Sequence, residues 1–311
     1  MTEPTSATEF EQLFLPLRGL LLAHAYKLTG SYADAEDIVQ NALLRAWKGR
    51  GGLRDHLGAK KWAFQIVTNE ALRHLRSVRP RRIPPENPQF VNVQAGEPQP
   101  EVLWIEPFPM EAVASPLLSP EETLLLRHEV EYAFIHALQS LTPLQRGVFL
   151  LQTAGFSLEE IAETLGSTPP AVSSALQRAK SNVRARRKAR PSGVRRDVLD
   201  RYLAAWMMKD IHALSRLLAQ DVRYSMPPWA EWYQGASMVS RFFAEAWTGY
   251  QSFVGEPVAL NGTRGVVVWT RAGADMRVHS VHLVLGDAEI DEIVLFRGET
   301  ALRPFQKPFQ C

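Results

Sequence analysis

Lys61, Gln65, Asn69, Arg73 and Arg76 follow one another at steps of four, four, four and three residues. On a helix that spacing gathers them on one face. The cations neutralise phosphates and the amides reach base edges, so the stripe has the chemistry of a nucleic-acid surface. A solvated amphipathic face is the other reading of the same pattern. A second set, Thr168, Pro170, Ser173, Ser174, Gln177 and Arg178, lies where a helix would turn outward. Small residues there permit close approach to a groove, and Gln177 and Arg178 can contact base edges. A third group is His279 and His282, with Glu289 and Asp291 following. A histidine beside a carboxylate is an acid–base pair. Strand alternation puts the two histidines on opposite faces, so one of them at most enters a common site. A structural histidine and surface carboxylates are the alternative.

The elements that must hold these groups are marked by caps. Ser31 and Asp34 start a helix whose buried stripe is Val39, Leu43, Ala46 and Trp47 and whose opposite face carries Asp37, Gln40 and Asn41. The cationic stripe sits on a helix from about Lys60 to Val78. A helix runs from Glu129 to Leu141, and Thr142-Pro143 opens another that reaches about Thr153. Ser157 and Glu160 form a capping box, Gly166 stops that helix, and Thr168 with Pro169 starts the next. Two short helices around Gly166, the second leading into Lys180, Arg184, Arg186, Arg187 and Lys188, fit a helix-turn-helix.

Charge is segregated along the 311 residues although the formal net charge is only +2. Residues 10–82 hold 13 Lys/Arg against 6 Asp/Glu, residues 83–122 hold 7 Glu and no base, and residues 171–196 hold 9 bases and no acid. Basic blocks ending two helical segments favour a polyanionic partner. Ten prolines between positions 80 and 120 oppose long helices and make the acidic stretch a linker. It contains one apolar island, Val102 to Pro109, in which Trp104 and Phe108 are suited to docking. The single cysteine, Cys311, excludes an internal disulfide and a cysteine-based zinc site, and a cytosolic chain is expected. No metal site, cofactor, secretory signal or membrane span is expected.

Beyond Arg195 the pattern changes. A helix is expected to Leu218, a strand over 221–226, a helix over 236–247, and strands over 252–260, 265–271, 276–285 and 289–297, split by turns such as Asn261-Gly262. Helices followed by an antiparallel meander make an α+β domain. Met226, Trp229, Trp232, Tyr233, Phe242, Trp247 and one histidine, His282, could line an apolar pocket for a small molecule.

Leu28 to Gln40, Trp62 to Asn69, Leu141 to Arg146, Ser157 to Gly166 and Ala175 to Lys180 occur in an order that resembles bacterial RNA polymerase sigma factors of the extracytoplasmic-function class. Tyr202 to Trp206, Met226-Pro-Pro and Trp232 to Gly235 resemble the SnoaL-like branch of the NTF2-like superfamily. The resemblance implies a multidomain chain: an all-α sigma domain 2 at 8–82, the Pro-rich acidic linker at 83–122, an all-α sigma domain 4 with the helix-turn-helix at 123–190, and an α+β NTF2-like cone domain at 195–304. It implies a non-enzymatic cytoplasmic factor that directs core polymerase to promoters. Asp37, Gln40 and Asn41 would meet the β′ clamp helices. Lys61, Gln65, Asn69, Arg73 and Arg76 would handle the −10 element. The helix-turn-helix would read −35 and bind the β flap. The C-terminal domain would regulate in cis through Trp104 and Phe108. Gln65, Ala63 and the Ser/Pro-rich start of the recognition helix depart from the family's pattern. A polymerase-independent helix-turn-helix regulator with a ligand-sensing domain, and a SnoaL-like isomerase or hydrolase on a vestigial sigma module, remain the other two readings.

Overall fold

The computed structural model describes residues 6–52, 58–77, 105–113, 119–187, 193–226, 232–272 and 275–306. The chain divides into two compact units, Met1–Arg81 with Met110–Ala189, and Arg82–Pro109 with Arg190–Cys311.

The first unit is helical. Its helices are α1 (Ala7–Phe14), α2 (Arg18–Thr29), α3 (Tyr32–Lys48), α4 (Ala59–Ser77), α5 (Pro120–Glu129), α6 (Tyr132–Gln139), α7 (Pro143–Thr153), α8 (Leu158–Leu165) and α9 (Pro169–Arg187). The caps set several boundaries. The Asp34 N–H donates to the Ser31 hydroxyl, and complete capping boxes stand at Thr142/Gln145 and Ser157/Glu160. Each satisfies N-terminal donors that the helix itself leaves open. Gly166 ends α8 at φ 60°, a conformation that costs glycine nothing, and turns the chain into α9. The helix expected over 129–141 is α6, and a further helix that was not expected, α5, precedes it from Pro120 to Glu129, the two separated at Val130–Glu131. The Pro-rich stretch therefore ends in a helix, with proline at its first position where no N–H is needed.

Helices α2, α3 and α4 pack together, and α2 and α4 also pack on α7. One side chain holds the helix ends in register. Arg146, 4% exposed, donates to the carbonyl oxygens of Leu28, Gln139 and Leu141 and to the Gln139 side chain. Leu28 lies in the last turn of α2; Gln139 and Leu141 close α6. The guanidinium thus caps two helix C-termini whose carbonyls lack partners and carry partial negative charge. His24, also on α2, is buried and bonds the Thr68 hydroxyl of α4 at 2.8 Å.

The second unit is an α+β sheet domain: α10 (Arg196–Met208), α11 (Ile211–Ser215), β1 (Leu218–Ser225), β2 (Trp232–Gln234), α12 (Ala236–Ala246), β3 (Phe253–Leu260), β4 (Thr263–Ala272), β5 (Asp275–Gly286), β6 (Ile290–Phe296) and α13 (Glu299–Leu302). Its six strands run in the order β2-β1-β6-β5-β4-β3. The last four form the expected antiparallel meander, but β1 pairs in parallel with β6. The helix expected over 195–218 breaks after Met208. Lys209 takes φ 51° as the C-cap, and the Asp210 carboxylate then accepts from the Ala213 N–H to start α11. That aspartate, a preferred N-cap, was the legible signal. Helix α10 lies against β3 at Gly255, where an added Cβ would come within 2.6 Å of Leu203. Trp206 fills the core, in edge contact with Phe243, Trp247 and Phe253.

Candidate nucleic-acid interfaces and the aromatic cavity

On α3, Asp37, Gln40 and Asn41 are exposed side by side, while Ile38, Val39 and Ala42 face the core. On α4 the stripe is divided. Asn69, Arg73 and Arg76 are exposed, and Arg73 pairs with Glu70 at 3.0 Å, which also receives Arg45. Lys61 and Gln65 instead turn to α8: the Lys61 ammonium meets the Glu160 carboxylate at 2.7 Å and the Gln65 amide donates to the Thr164 hydroxyl at 3.0 Å. The hydrogen bond from Lys61 leads the causes that hold the Glu160 carboxyl below its usual range. Sequence periodicity carries no sign of this pairing across 99 residues.

On α9, Val172, Ala175, Leu176, Ala179 and Val183 are buried. Thr168, Pro170, Ser174, Gln177 and Arg178 are exposed and Ser173 is half-buried. One face of the second helix of the helix-turn-helix is therefore polar, with cations at Arg178, Lys180 and Arg184.

In the sheet domain the linker island has a seat. Phe108 is wholly buried; its N–H donates to the Asn261 side-chain oxygen at 3.0 Å and its carbonyl accepts from the Asn261 N–H at 2.9 Å. Asn261 and Gly262 both take positive φ, 47° and 73°, the backbone of a tight two-residue hairpin between β3 and β4. The turn therefore closes a hairpin and clasps the linker with the same asparagine. Trp104 lies outside the described residues.

The expected pocket is only partly the observed one. A cavity is lined by Trp206, Tyr224, Met226, Phe242, Phe243, Trp247 and, at one end, His279 and Arg297. Met226, Phe242 and Trp247 were expected there; His282, also expected, is buried but does not line the cavity. Tyr233 is buried beside the cavity, stacked on Phe242 at 4.6 Å. Trp229 and the Trp232 side chain lie outside the described residues. The opposite-face expectation for His279 and His282 is wrong. Val268 pairs with Ser280 but Trp269 pairs with Val278, so His279 is the extra residue of a β-bulge. The bulge re-aims it, and four side chains form one hydrogen-bonded chain: Tyr202 hydroxyl to His282 Nδ1 at 3.0 Å, His282 Nε2 to Ser280 Oγ at 2.6 Å, Ser280 Oγ to His279 Nδ1 at 2.7 Å. Burial is the first cause of lowered histidine pKa values here, with His279 brought down to about 3, and burial pushes the Tyr202 phenol up. Glu289 and Asp291 are exposed while both histidines are buried, so the His–carboxylate pair does not form and the alternative, buried histidines with surface carboxylates, is what the domain holds. Among the described residues no group of three His, Cys, Asp or Glu could hold a metal, and no helix is long and apolar enough to cross a membrane.

A polar helix-turn-helix face and an exposed cation–amide face on a helical unit are the chemistry that a nucleic-acid-binding protein needs. Residues 13–81 match the Sigma-70 region 2 family, 132–183 match Sigma-70 region 4, and 199–292 match the SnoaL-like domain. The ECF RNA polymerase sigma factor SigG of Mycobacterium tuberculosis is 33% identical over 94% of this chain and 82% of its own length. SigJ of the same organism is 29% identical over 68% of this chain and 63% of its own. The crystal structure of SigJ superposes with a TM-score of 0.59 at 21% identity, over 96% of this chain and 98% of that one, a likeness of fold. The chain belongs to the ECF RNA polymerase sigma factors. Its partners are accordingly core RNA polymerase and promoter DNA.

Proposed function

We propose that the two helical faces divide the promoter between them. The exposed part of the α4 stripe, with Lys61 and Gln65 once released from α8, handles the −10 strand, where unpaired bases need a cationic track and amides. The outward face of α9 reads −35 in the major groove. Asp37, Gln40 and Asn41 meet the β′ clamp helices, and the helix-turn-helix module meets the β flap. The observation that carries this division is the polar outer face of α9 over an apolar inner one.

In-vitro transcription with bacterial core polymerase on a library of promoter fragments tests it. Gln177→Ala or Arg178→Ala is expected to cost about 1–3 kcal/mol at one −35 base pair. A uniform loss over all sequences would mean phosphate contact, and unchanged promoter choice would remove α9 from the −35 element.

The sheet domain regulates this activity in cis, by holding the linker and by taking a small molecule. The Phe108–Asn261 clasp supports the first part. Asn261→Gly keeps the positive φ and the N–H but deletes the side-chain acceptor, while Phe108→Ala empties the buried seat. Both are expected to change transcript yield on one promoter in the same direction, Phe108→Ala more. Wild-type yield in Phe108→Ala would remove the clasp from regulation.

A further inference from the structure

The geometry points to the sheet-domain cavity as a site for a small apolar molecule ending in an oxygen that only accepts hydrogen bonds, a carbonyl or a carboxylate, held by the His279 Nε2–H. The inference rests on reading this domain as one that takes a small molecule, and adds the ligand's chemistry.

The direction of the hydrogen-bond chain decides what the cavity offers. Tyr202, on α10, has one hydroxyl hydrogen, and its partner is His282 Nδ1. If Tyr202 donates, His282 carries its proton on Nε2 and donates to Ser280. Ser280 then donates to His279 Nδ1, and His279 presents Nε2–H. If every bond is reversed, the Tyr202 hydrogen has no acceptor and His279 Nε2 is a bare lone pair. The first arrangement leaves one buried group unpaired and the second leaves two. Each buried unpaired group costs about 1–3 kcal/mol, so the first prevails. Its unpaired group is His279 Nε2, which is buried, has no partner, and belongs to a residue lining the cavity. The chain ends where a ligand would begin.

The neighbouring polar groups have the same sign. The indole N–H of Trp247 is buried without a partner and can only donate. The Arg297 guanidinium lines the same cavity and donates to the Tyr250 hydroxyl at 3.2 Å. The rest of the wall is carbon from Met226, Phe242, Phe243, Ala246, Phe253 and Leu295, with the rings of Tyr224 and Tyr250, whose hydroxyl already accepts from Arg297. An ammonium meets only tyrosine hydroxyls and ring faces there; an oxygen acceptor meets the His279 Nε2–H, the Trp247 N–H and the Arg297 guanidinium. The cavity is about 20 Å³, room for one or two waters, so the first occupants are molecules of few atoms. A larger ring would have to part the aromatic walls.

Acetate, acetone and isopropylammonium share a branched skeleton of one size and differ in what they offer. Each is titrated into the full chain while NMR follows the Trp247 indole N–H and the His279 ring nitrogens. In the free protein nitrogen-15 NMR is expected to show His279 protonated at Nε2 and His282 protonated at Nε2. Acetate and acetone should shift both reporters saturably, at least tenfold more tightly than isopropylammonium. His279→Phe should abolish that preference, and Ser280→Ala, which spares the aromatic wall, should weaken it by uncoupling His279 from the chain. Arg297→Gln separates the two acceptors: a loss for acetate alone assigns the site to carboxylates, and equal retention assigns it to carbonyls. An unprotonated His279 Nε2, equal or tighter binding of isopropylammonium, or no saturable shift with any of the three would overturn the proposal. These readouts need no polymerase, so a failed promoter assay leaves them intact, and the reverse holds.

Discussion

Arg146→Ala is expected to destabilise the helical unit by about 3–5 kcal/mol, the scale on which removing one side of a buried charged contact falls. Desolvation lowers the Arg146 guanidinium pKa to about 10, yet it stays charged at neutral pH. What offsets the desolvation is the convergence on it of the α2 and α6 C-termini, each presenting carbonyls with partial negative charge. Alanine would leave those carbonyls buried without donors and open a void. Arg146→Lys restores a charge but not the planar fork that reaches several oxygens at once, and should recover less than half the loss. Urea unfolding followed by far-UV circular dichroism reads the change. With a slope of about 2 kcal/mol per molar, the helical transition should move down by about 2 M. A shift worth less than about 1 kcal/mol would mean that water reaches the carbonyls and that the arginine is not what joins the two helices.

Acid should unfold the sheet domain well before its carboxylates titrate. His279 and His282 are neutral in the folded state because burial, together with the Arg297 charge, depresses both pKa values. In the unfolded chain each returns to about 6.5. Below that value the unfolded state binds more protons than the folded one, so stability is intact above pH 6.5 and is lost as pH falls. For His279 the loss continues to about pH 3. Each histidine contributes up to a tenfold rise in the unfolding equilibrium constant per pH unit. Between pH 6 and 5 the pair should therefore give a change of about sixtyfold, read by urea titrations with tryptophan fluorescence from Trp206 and Trp247. His282→Gln should halve the slope on a logarithmic scale. A flat profile over that interval, or an unchanged slope in the variant, would show that one of the rings is solvated.

The sequence makes the local elements legible and the long-range contacts illegible. Ser31, Thr142-Pro143, Ser157 and Gly166 mark helix ends because caps answer to a few residues in a row, and the four meander strands fall within a residue or two of their expected limits. The exposed face of α9 follows from the same 3.6-residue period. The split of the α4 stripe does not, because Lys61 and Gln65 read as ordinary exposed polar residues until α8 is placed beside them. The part of the cavity wall supplied by His279 was missed for another reason. Tyr202 and Trp206 were visible as the apolar face of a helix, but strand alternation forbids His279 from joining His282, and one inserted residue at a bulge cancels that rule. The parallel pairing of β1 with β6 likewise depends on how the chain crosses between strands, which no local pattern encodes.

The α4–α8 contact has a consequence for how much promoter affinity the protein can display. A Lys61–Glu160 pair with side chains 49% and 38% exposed is worth about 0–1 kcal/mol, and less as salt rises. The buried contacts of α2, α6 and α7 around Arg146 are far stronger. On the proposed assignment of the α4 stripe to the −10 strand, a DNA phosphate and Glu160 compete for the same ammonium, and the competition is local: α8 can release Lys61 and Gln65 at small cost while the rest of the unit stays assembled. Whatever fraction of molecules has made that release divides the intrinsic dissociation constant, so each tenfold scarcity of the released form weakens apparent binding tenfold. Moderate salt then acts in two directions at once, freeing the lysine from its carboxylate while screening the phosphate it is freed for. Occupancy of the −10 strand should depend less steeply on ionic strength than its count of cations implies.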